Sequence, residues 1–284
     1  MKRIVSIQDI SCVGKCSQTI ALPVLSAMGI ECAALPTALL SAHTAFADFV
    51  SYDLNEIFRP LAAHWKALGL RFDTIYTGYL GSEVQVGLVT EFLQEFGTPD
   101  TLVFIDPAMA DHGRLYAGLS STLPAAMQEL CSRAEIITPN VTEACLLTGL
   151  PYREQHDAAY VRELLTALLS LGARTAIITG IRPDAAHMGV AAMEADGEVR
   201  LHCTEYLPAV YHGTGDLFAA TCAGALTLGM PAAEAISLAA DYVVTTLRAT
   251  AADPNARWYG VNFEDTLSEL ITRLRRQPQE EEFL

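Results

Sequence analysis

Residues 211–222 read Tyr-His-Gly-Thr-Gly-Asp-Leu-Phe-Ala-Ala-Thr-Cys. The Gly213-Thr214-Gly215 triplet is typical of a turn in which the backbone comes close to a ligand. The apolar run after it predicts a buried helix, whose first N–H groups are free to bind an anion. Asp216 at the start of that helix would repel a bound phosphate. Its presence there therefore favours a chemical role, in which it takes the proton from a hydroxyl that attacks phosphorus. The alternative is a glycine turn with an aspartate N-cap, and the spacing alone leaves both open.

Outward from this stretch, short apolar runs alternate with longer helical patterns. This alternation predicts a mostly parallel sheet covered by helices on both faces, which is a three-layer α/β/α fold. Residues 188–193 and 199–203, separated by Asp196-Gly197, predict a β-hairpin appended to the sheet. The predicted strands are 4–7, 32–35, 74–76, 101–105, 135–138 and 175–179. The predicted helices are 18–28, 54–68, 83–96, 124–131, 158–171, 216–228 and 231–248.

Composition limits the possible partners and the compartment. The chain has 284 residues, of which 51% are hydrophobic, and a formal net charge of -15, which argues against nucleic acid and anionic membrane surfaces. Seven cysteines without a Cys-x-x-Cys pair favour a reduced, cytoplasmic protein without a zinc site. With no boundary signal, residues 1–276 are expected to form one domain, and 277–284 a disordered acidic tail.

Polar segments follow several of the predicted strands. In open parallel sheets, ligands bind beyond the carboxyl ends of the strands, so these segments are expected to meet at one edge. They are 77–82, 106–111, 138–143 and 179–180.

Five segments in the expected order resemble the ribokinase-like superfamily, and within it the pyridoxal/pyridoxamine kinases. Residues 213–216 are similar to its Gly-x-Gly-Asp signature, 106–111 to its Asp-Pro-Val-Met-Gly-Asp segment and 138–143 to its Pro-Asn-x-x-Glu segment. Residues 40–44 and 78–82 resemble segments of the vitamin B6 branch. The resemblance implies ATP-dependent phosphorylation of the 5′-hydroxymethyl group of a B6 vitamer, no separate lid domain and, by analogy, a homodimer. It also implies Mg²⁺, and it leaves a monovalent cation such as K⁺ open.

The resemblance assigns a role to each matching position. Asp216 is expected to be the catalytic base, with the amides of Gly213, Thr214 and Gly215 as the anion hole. Glu143 and Asp106 are expected to hold Mg²⁺, with Glu143 acting through water. The expected nucleotide-binding residues are Asp106, Asp111, Asn140, Glu143, Thr179 and Gly180. The expected substrate-binding residues are Asp9, Thr44, Tyr79 and Asp216.

Several of these residues have a plainer alternative. Glu143 could be the capping-box partner of Asn140, Asp106 or Asp111 could cap the predicted flap at 111–118, and Tyr79 could be a core aromatic. His43 is expected to be structural rather than an acid or base. Residues 14–17 imitate part of a phosphate-binding loop, but Cys16 separates Lys15 from the hydroxyl residue, so this reading is rejected.

Asp9 stands where many family members have a serine. An ionised carboxylate only accepts hydrogen bonds, so it would favour a vitamer that carries a cation, unless it caps the following segment instead.

Three other functions compete with B6 phosphorylation. A hydroxymethylpyrimidine kinase would act on a similar ring and hydroxymethyl group. A non-catalytic pyridoxal phosphate-binding protein would not need Asp216. A sugar kinase is disfavoured because no early insertion of lid strands is evident.

Overall fold

The computed structural model describes residues 1–208 and 211–276, with only the backbone of Arg276. The tail expected at 277–284 lies outside the described residues. The strands are β1 (Arg3–Ser11), β2 (Glu31–Leu40), β3 (Ser51–Asp53), β4 (Thr74–Thr77), β5 (Leu102–Ile105), β6 (Ala110–Asp111), β7 (Arg114–Leu115), β8 (Ile136–Ile137), β9 (Thr175–Ile181), β10 (His187–Glu194) and β11 (Val199–Glu205). The α-helices are α1 (Gln18–Ala27), α2 (Asn55–Ala67), α3 (Glu83–Phe96), α4 (Leu123–Cys131), α5 (Val141–Thr148), α6 (Ala158–Leu169), α7 (Thr214–Thr227), α8 (Ala232–Ala252) and α9 (Leu267–Arg276).

The nine-stranded sheet has the order β11-β10-β9-β8-β5-β4-β1-β2-β3. Its six central strands, β2 to β9 in that order, are parallel, whereas β3 and the β10–β11 hairpin join the two edges antiparallel. The predicted mostly parallel sheet with an appended hairpin is therefore confirmed. Because the central strands run the same way, their carboxyl ends meet at one edge of the sheet.

Side chains that alternate along the strands divide the core into two layers. Ile4 and Tyr76 pack against α1, α7, α8 and α9, while Val5, Ile7 and Ile75 pack against α2 to α6. α7 is buried along almost its whole length, as the apolar run after Asp216 predicts. Within the part of the chain that the structure describes, no helix is long and apolar enough to cross a membrane.

The structure corrects the predicted positions of three residues, which lie inside strands and not after them. Thr179 and Gly180 lie inside β9, not after it, because β9 pairs with β10 as far as Ile181. β1 continues to Ser11, so Asp9 lies within the strand, where the pairing with β2 changes register between Gln8 and Ile10.

Several elements were not predicted, and in one case the signal was present. Leu267, Leu270 and Leu274 recur at helical spacing in α9, and that pattern could have revealed the helix. The edge strand β3 is exposed at all three residues, so it carries no apolar alternation. The short strands β6 and β7 form a small hairpin within the flap expected at 111–118.

Candidate active site

The Gly213–Asp216 turn forms the amino end of α7. Gly213 is the N-cap with a φ of 85°, and a Cβ atom placed there would lie 1.9 Å from the carbonyl oxygen of Lys15. Both facts require glycine. Since α7 begins at Thr214, its first N–H groups have no partner within the helix and are available to an anion.

Asp216 lies in the first turn of α7 and is only partly exposed. Burial, together with the charge of Asp9, raises the pKa of its carboxyl group from 3.8 to about 6. The backbone N–H of Ser17 acts in the opposite direction. A carboxylate with a pKa near the working pH can both take and release a proton, which is what a general base requires.

Asp106 follows β5 and lies near enough to Glu143 and Asp216 for their charges to act on it. Its backbone N–H donates to the carbonyl of Thr77 at 3.0 Å, which continues the sheet ladder, and the residue is 8% exposed. Burial, followed by the charges of Glu143 and Asp216, raises the pKa of Asp106 well above 3.8. Three carboxylates that disfavour one another's charge mark a place where a cation would be stabilised.

Glu143 and Asn140 form the capping box that the sequence left open. The Glu143 N–H donates to Asn140 Oδ1 at 2.9 Å, and the Asn140 N–H donates to Glu143 Oε2 at 2.8 Å. Glu143 Oε1 also accepts the N–H groups of Met109 and Ala110 at 2.9 and 3.2 Å. Burial nevertheless raises the pKa of Glu143 against these three donors, since the residue is 2% exposed.

The same helix start holds the β6–β7 hairpin. Asn140 Nδ2 donates to the carbonyl of Ala110 at 2.7 Å, and the Gly113 N–H donates to Thr142 Oγ1 at 2.9 Å. Asp111 is exposed at the hairpin turn, where its Oδ1 accepts the N–H of His112 at 2.7 Å. α5 thus positions the flap, and Asp111 caps it.

Thr179 and Gly180 lie beside Asn140 at the carboxyl edge. Thr179 forms an isolated parallel bridge with Asn140, and its N–H donates to the carbonyl of Pro139 at 3.0 Å. Gly180 has a φ of 72°, and a Cβ atom there would contact nothing within 4 Å. The structure therefore brings together the β9 and α5 residues that were expected to bind the nucleotide.

Asp9 and Tyr79 lie near each other, and the loop after β2 carries His43 and Thr44. Asp9 is 2% exposed and accepts the hydroxyl of Ser11 at 2.8 Å. Burial and the charges of Asp9 and Asp53 raise the pKa of Tyr79 to about 12, so its hydroxyl stays protonated. The half-buried Thr44 follows His43 in the loop after β2.

His43 has both ring nitrogens engaged with backbone. Nε2 lies 2.9 Å from the carbonyl oxygen of Tyr259, and Nδ1 accepts the N–H of Ala45 at 3.2 Å. These partners place the proton on Nε2, and the ring connects two loops, as expected for a structural histidine.

Residues 14–17 are not a phosphate-binding loop. Lys15 Nζ pairs with Glu264 Oε2 at 2.8 Å and with Asn262 Oδ1 at 3.1 Å, so its charge is already neutralised. Sequence reasoning did not single out Ser17, the residue that ends this segment and has a positive φ of 50°. Its backbone conformation, which no local pattern indicates, is what distinguishes it.

Comparisons with known proteins agree with this geometry. The family model described as phosphomethylpyrimidine kinase matches residues 22–261. A pyridoxine/pyridoxal/pyridoxamine kinase of Bordetella pertussis is 32% identical over 266 residues, which cover 87% of this chain and 89% of the relative. 

Two solved structures are also similar. Pyridoxal kinase from Lactobacillus plantarum has a TM-score of 0.88 and 34% identity, with 98% of this chain and all of that chain covered. A Bacteroides thetaiotaomicron protein, crystallised with pyridoxal, has a TM-score of 0.90 and 35% identity, with 95% of each chain covered. The chain therefore belongs to the pyridoxal kinase family of the ribokinase-like superfamily.

Proposed function

We propose that this chain transfers the γ-phosphoryl group of ATP to the 5′-hydroxymethyl group of pyridoxal, pyridoxamine or pyridoxine. The observation that carries the proposal is Asp216, a base with a pKa of about 6 next to the open amides of α7. The relatives that match most of the chain include kinases of these vitamers.

Asp216 performs the proton transfer. Its carboxylate takes the proton of the 5′-hydroxyl group while the hydroxyl oxygen forms a bond to the γ-phosphorus, and the bond to the β–γ bridging oxygen breaks to release ADP. The amides of Gly213, Thr214 and Gly215 donate to the transferring phosphoryl oxygens, where negative charge must be stabilised.

The phosphate side of the site fits Mg²⁺. Among the described residues, no group of three His, Cys, Asp or Glu side chains is arranged to hold a metal ion by itself. Mg²⁺ bound with a nucleotide needs only one or two carboxylates, because phosphate oxygens and water complete its coordination. Asp106 and, through water, Glu143 would hold the ion, and Asp111, Asn140, Thr179 and Gly180 would contact the nucleotide. Bound Mg²⁺ would neutralise the charge on the phosphates.

Asp9, Thr44 and Tyr79 would hold the pyridine end of the substrate. Thr44 offers a hydroxyl and Tyr79 a ring, while Asp9 offers a carboxylate to a protonated ring nitrogen or amine. This arrangement leaves the 5′-hydroxymethyl group directed at Asp216.

A coupled assay of ADP release tests the proposal with pyridoxal, pyridoxamine, pyridoxine and hydroxymethylpyrimidine as acceptors. We expect kcat/KM to be higher for a B6 vitamer than for hydroxymethylpyrimidine. A preference for hydroxymethylpyrimidine would establish the alternative kinase, and no turnover with any acceptor would establish a binding protein. The same assay in KCl and in NaCl tests whether K⁺ takes part.

We also propose a cytoplasmic homodimer. Seven free cysteines are compatible with a reducing compartment. The β2–β3 edge exposes Leu39, Val50 and Tyr52 side by side with Val13, an apolar patch suited to a second copy. Light scattering would give the mass: a dimer supports the proposal, and a monomer at micromolar concentration contradicts it.

A further inference from the structure

Lys15 joins the segment after β1 to a distant part of the chain. Its Nζ atom donates to Glu264 Oε2 at 2.8 Å and to Asn262 Oδ1 at 3.1 Å, and these partners follow it by 249 and 247 residues. The Lys15 side chain is only 19% exposed, because its methylene groups pack against Gly260. A Cβ atom placed at Gly260 would lie 2.5 Å from Lys15 Cβ. The ammonium group and the packed stem therefore both connect the two segments.

The partner segment, residues 260–264, is firmly held in the fold. Phe263 is 3% exposed and belongs to the core layer that contains α7. The Asn262 N–H donates to Thr250 Oγ1, and Asn262 Nδ2 donates to Asp253 Oδ2, each at 2.8 Å. Residues 260–264 can therefore serve as a fixed support for a side chain that packs on them.

The backbone of Lys15 meets the catalytic turn. A Cβ atom placed at Gly213 would lie 1.9 Å from the carbonyl oxygen of Lys15, so the two backbones are in close contact. Gly213 is the N-cap of α7, and Asp216 lies in the first turn of the same helix. Lys15 thus lies between the support formed by residues 260–264 and the turn that carries the proposed base.

The ion pair itself is expected to contribute little to the stability of the fold. Glu264 is 52% exposed. Ion pairs that face solvent add little to the free energy of folding, because water and salt screen the two charges. An effect of this pair is therefore expected at the site that its backbone contacts and not on folding as a whole.

We propose that Lys15 is a positioning residue for the catalytic turn, residues 213–216. Its ion pair with Glu264 holds its backbone in place, and its carbonyl then limits where the start of α7, and with it the carboxylate of Asp216, can lie. The proposal rests on the proposed function, in which Asp216 takes the substrate proton.

Two substitutions break the ion pair from opposite sides. Lys15→Met keeps the packed stem without the charge, and Glu264→Gln keeps the size of the partner without its charge. We expect each to lower kcat about 3- to 30-fold, since a catalytic group misplaced by about 1 Å loses about 100-fold. The KM values for ATP and pyridoxal should change less than about 3-fold, because Lys15 contacts neither. The unfolding temperatures should stay within about 3 °C of the wild type.

The double variant tests whether both residues act through one contact. Lys15→Met combined with Glu264→Gln should lose no more kcat than the more affected single variant, because one ion pair can be lost only once. Lys15→Arg, which retains the cation, should keep most of the wild-type kcat. Lys66→Met removes a similar ion pair of 2.8 Å, to Glu95 on helices α2 and α3, and is the matched control that should behave as wild type.

Several outcomes would overturn the proposal. Wild-type kcat in both single variants would show that the turn does not depend on this contact. Weaker ATP binding in Lys15→Met together with tighter binding in Glu264→Gln would make Lys15 a phosphate ligand, because Glu264→Gln frees its charge. Losses of kcat that multiply in the double variant would mean that the two residues act separately. A loss that disappears when each variant is assayed well below its unfolding temperature would make the contact one of stability only.

Two further variants keep the test decisive and the two proposals apart. If Lys15→Met does not fold, Glu264→Gln alone decides, because its kcat must fall if the proposal is right. Wild-type turnover in Lys15→Met and Glu264→Gln beside an inactive Asp216→Asn would overturn only the role of Lys15. Absence of turnover in the wild type with every B6 vitamer would overturn the proposed function.

Discussion

The buried position of Asp216 disfavours its charged form, but it also gives the carboxyl group a pKa suited to a general base. Burial and the charge of Asp9 raise its pKa to about 6, although its position in the first turn of α7 favours the ionised form. The balance leaves a base that is ionised at neutral pH but not permanently so.

Asp216→Asn removes the base and retains its shape. We expect kcat to fall by about 10²- to 10⁴-fold, because that is the usual contribution of a general base, while the affinities for ATP and pyridoxal stay nearly unchanged. Steady-state kinetics and calorimetry measure the two effects separately. Asp216 is not the base if the variant keeps more than about a tenth of the wild-type kcat.

The pH profile should report the same group. Because Asp216 must be ionised to accept a proton, kcat/KM for pyridoxal should rise with pH through about 6, the pKa in the free enzyme. The charge of Asp9 contributes to that raised pKa, so Asp9→Asn should move the rise to lower pH. A kcat/KM that does not change between about pH 5 and pH 8 would contradict the assignment.

Asp9→Ser restores the residue that many family members have. If Asp9 faces the cationic part of the substrate, the ratio of kcat/KM for pyridoxamine to that for pyridoxal should fall about 10- to 150-fold, the value of a charge-assisted hydrogen bond of about 1.5–3 kcal/mol. If the ratio does not fall, Asp9 does not select the cation.

At the scale of elements, the site depends on how closely residues 14–17 approach the start of α7. The helix supplies the open amides, and the segment after β1 places the carbonyl of Lys15 against Gly213. α5 has the corresponding role on the nucleotide side, where its capping box also fixes the β6–β7 hairpin.

Gly213→Ala tests this close approach. The new methyl group would lie 1.9 Å from the Lys15 carbonyl, so the segment or the turn has to move, and we expect kcat to fall about 100-fold with a loss of stability. Gly229→Ala is a matched control, because Gly229 also has a positive φ of 90° but no atom within 4 Å of a Cβ. It should cost about 1–2 kcal/mol of stability and leave kcat unchanged. Equal kcat in the two variants, measured beside their unfolding temperatures, would refute the steric explanation.

At the scale of the whole molecule, the parallel sheet collects acidic residues at one edge of a chain with a net charge of -15. Asp106 follows β5 and Glu143 lies in α5, and both are near that edge. The groups that shift the pKa of these two carboxyl groups include no cation. A polyphosphate entering this edge meets like charge.

ATP binding should therefore depend steeply on Mg²⁺. Titration calorimetry should show a much higher affinity for ATP with Mg²⁺ than with excess EDTA. The reason is that the cation neutralises both the carboxylates and the phosphates. Asp106→Asn should weaken this dependence. Equal affinity for ATP in EDTA would refute a metal role for Asp106 and Glu143.

The sequence by itself determined the features that depend on neighbours along the chain. Alternating strand and helix patterns predicted the parallel sheet and its appended hairpin, and Gly213-Thr214-Gly215 predicted an open helix start. The spacing of Asn140 and Glu143 allowed a capping box as one of two alternatives, since both partners lie within one helical turn, and the structure shows that it forms. These features follow from local backbone geometry, which short stretches of sequence specify.

Only the tertiary structure decided which distant residues meet. Strand order brought Thr179 beside Asn140, and the packing of α5 on β6 turned the capping-box glutamate towards Met109 and Ala110. The close approach of the Lys15 carbonyl to Gly213, in a segment where Ser17 has a positive φ without being a glycine, is likewise not marked in the sequence. Such contacts arise from long-range packing, which can hold a residue in a conformation that its own local preference disfavours.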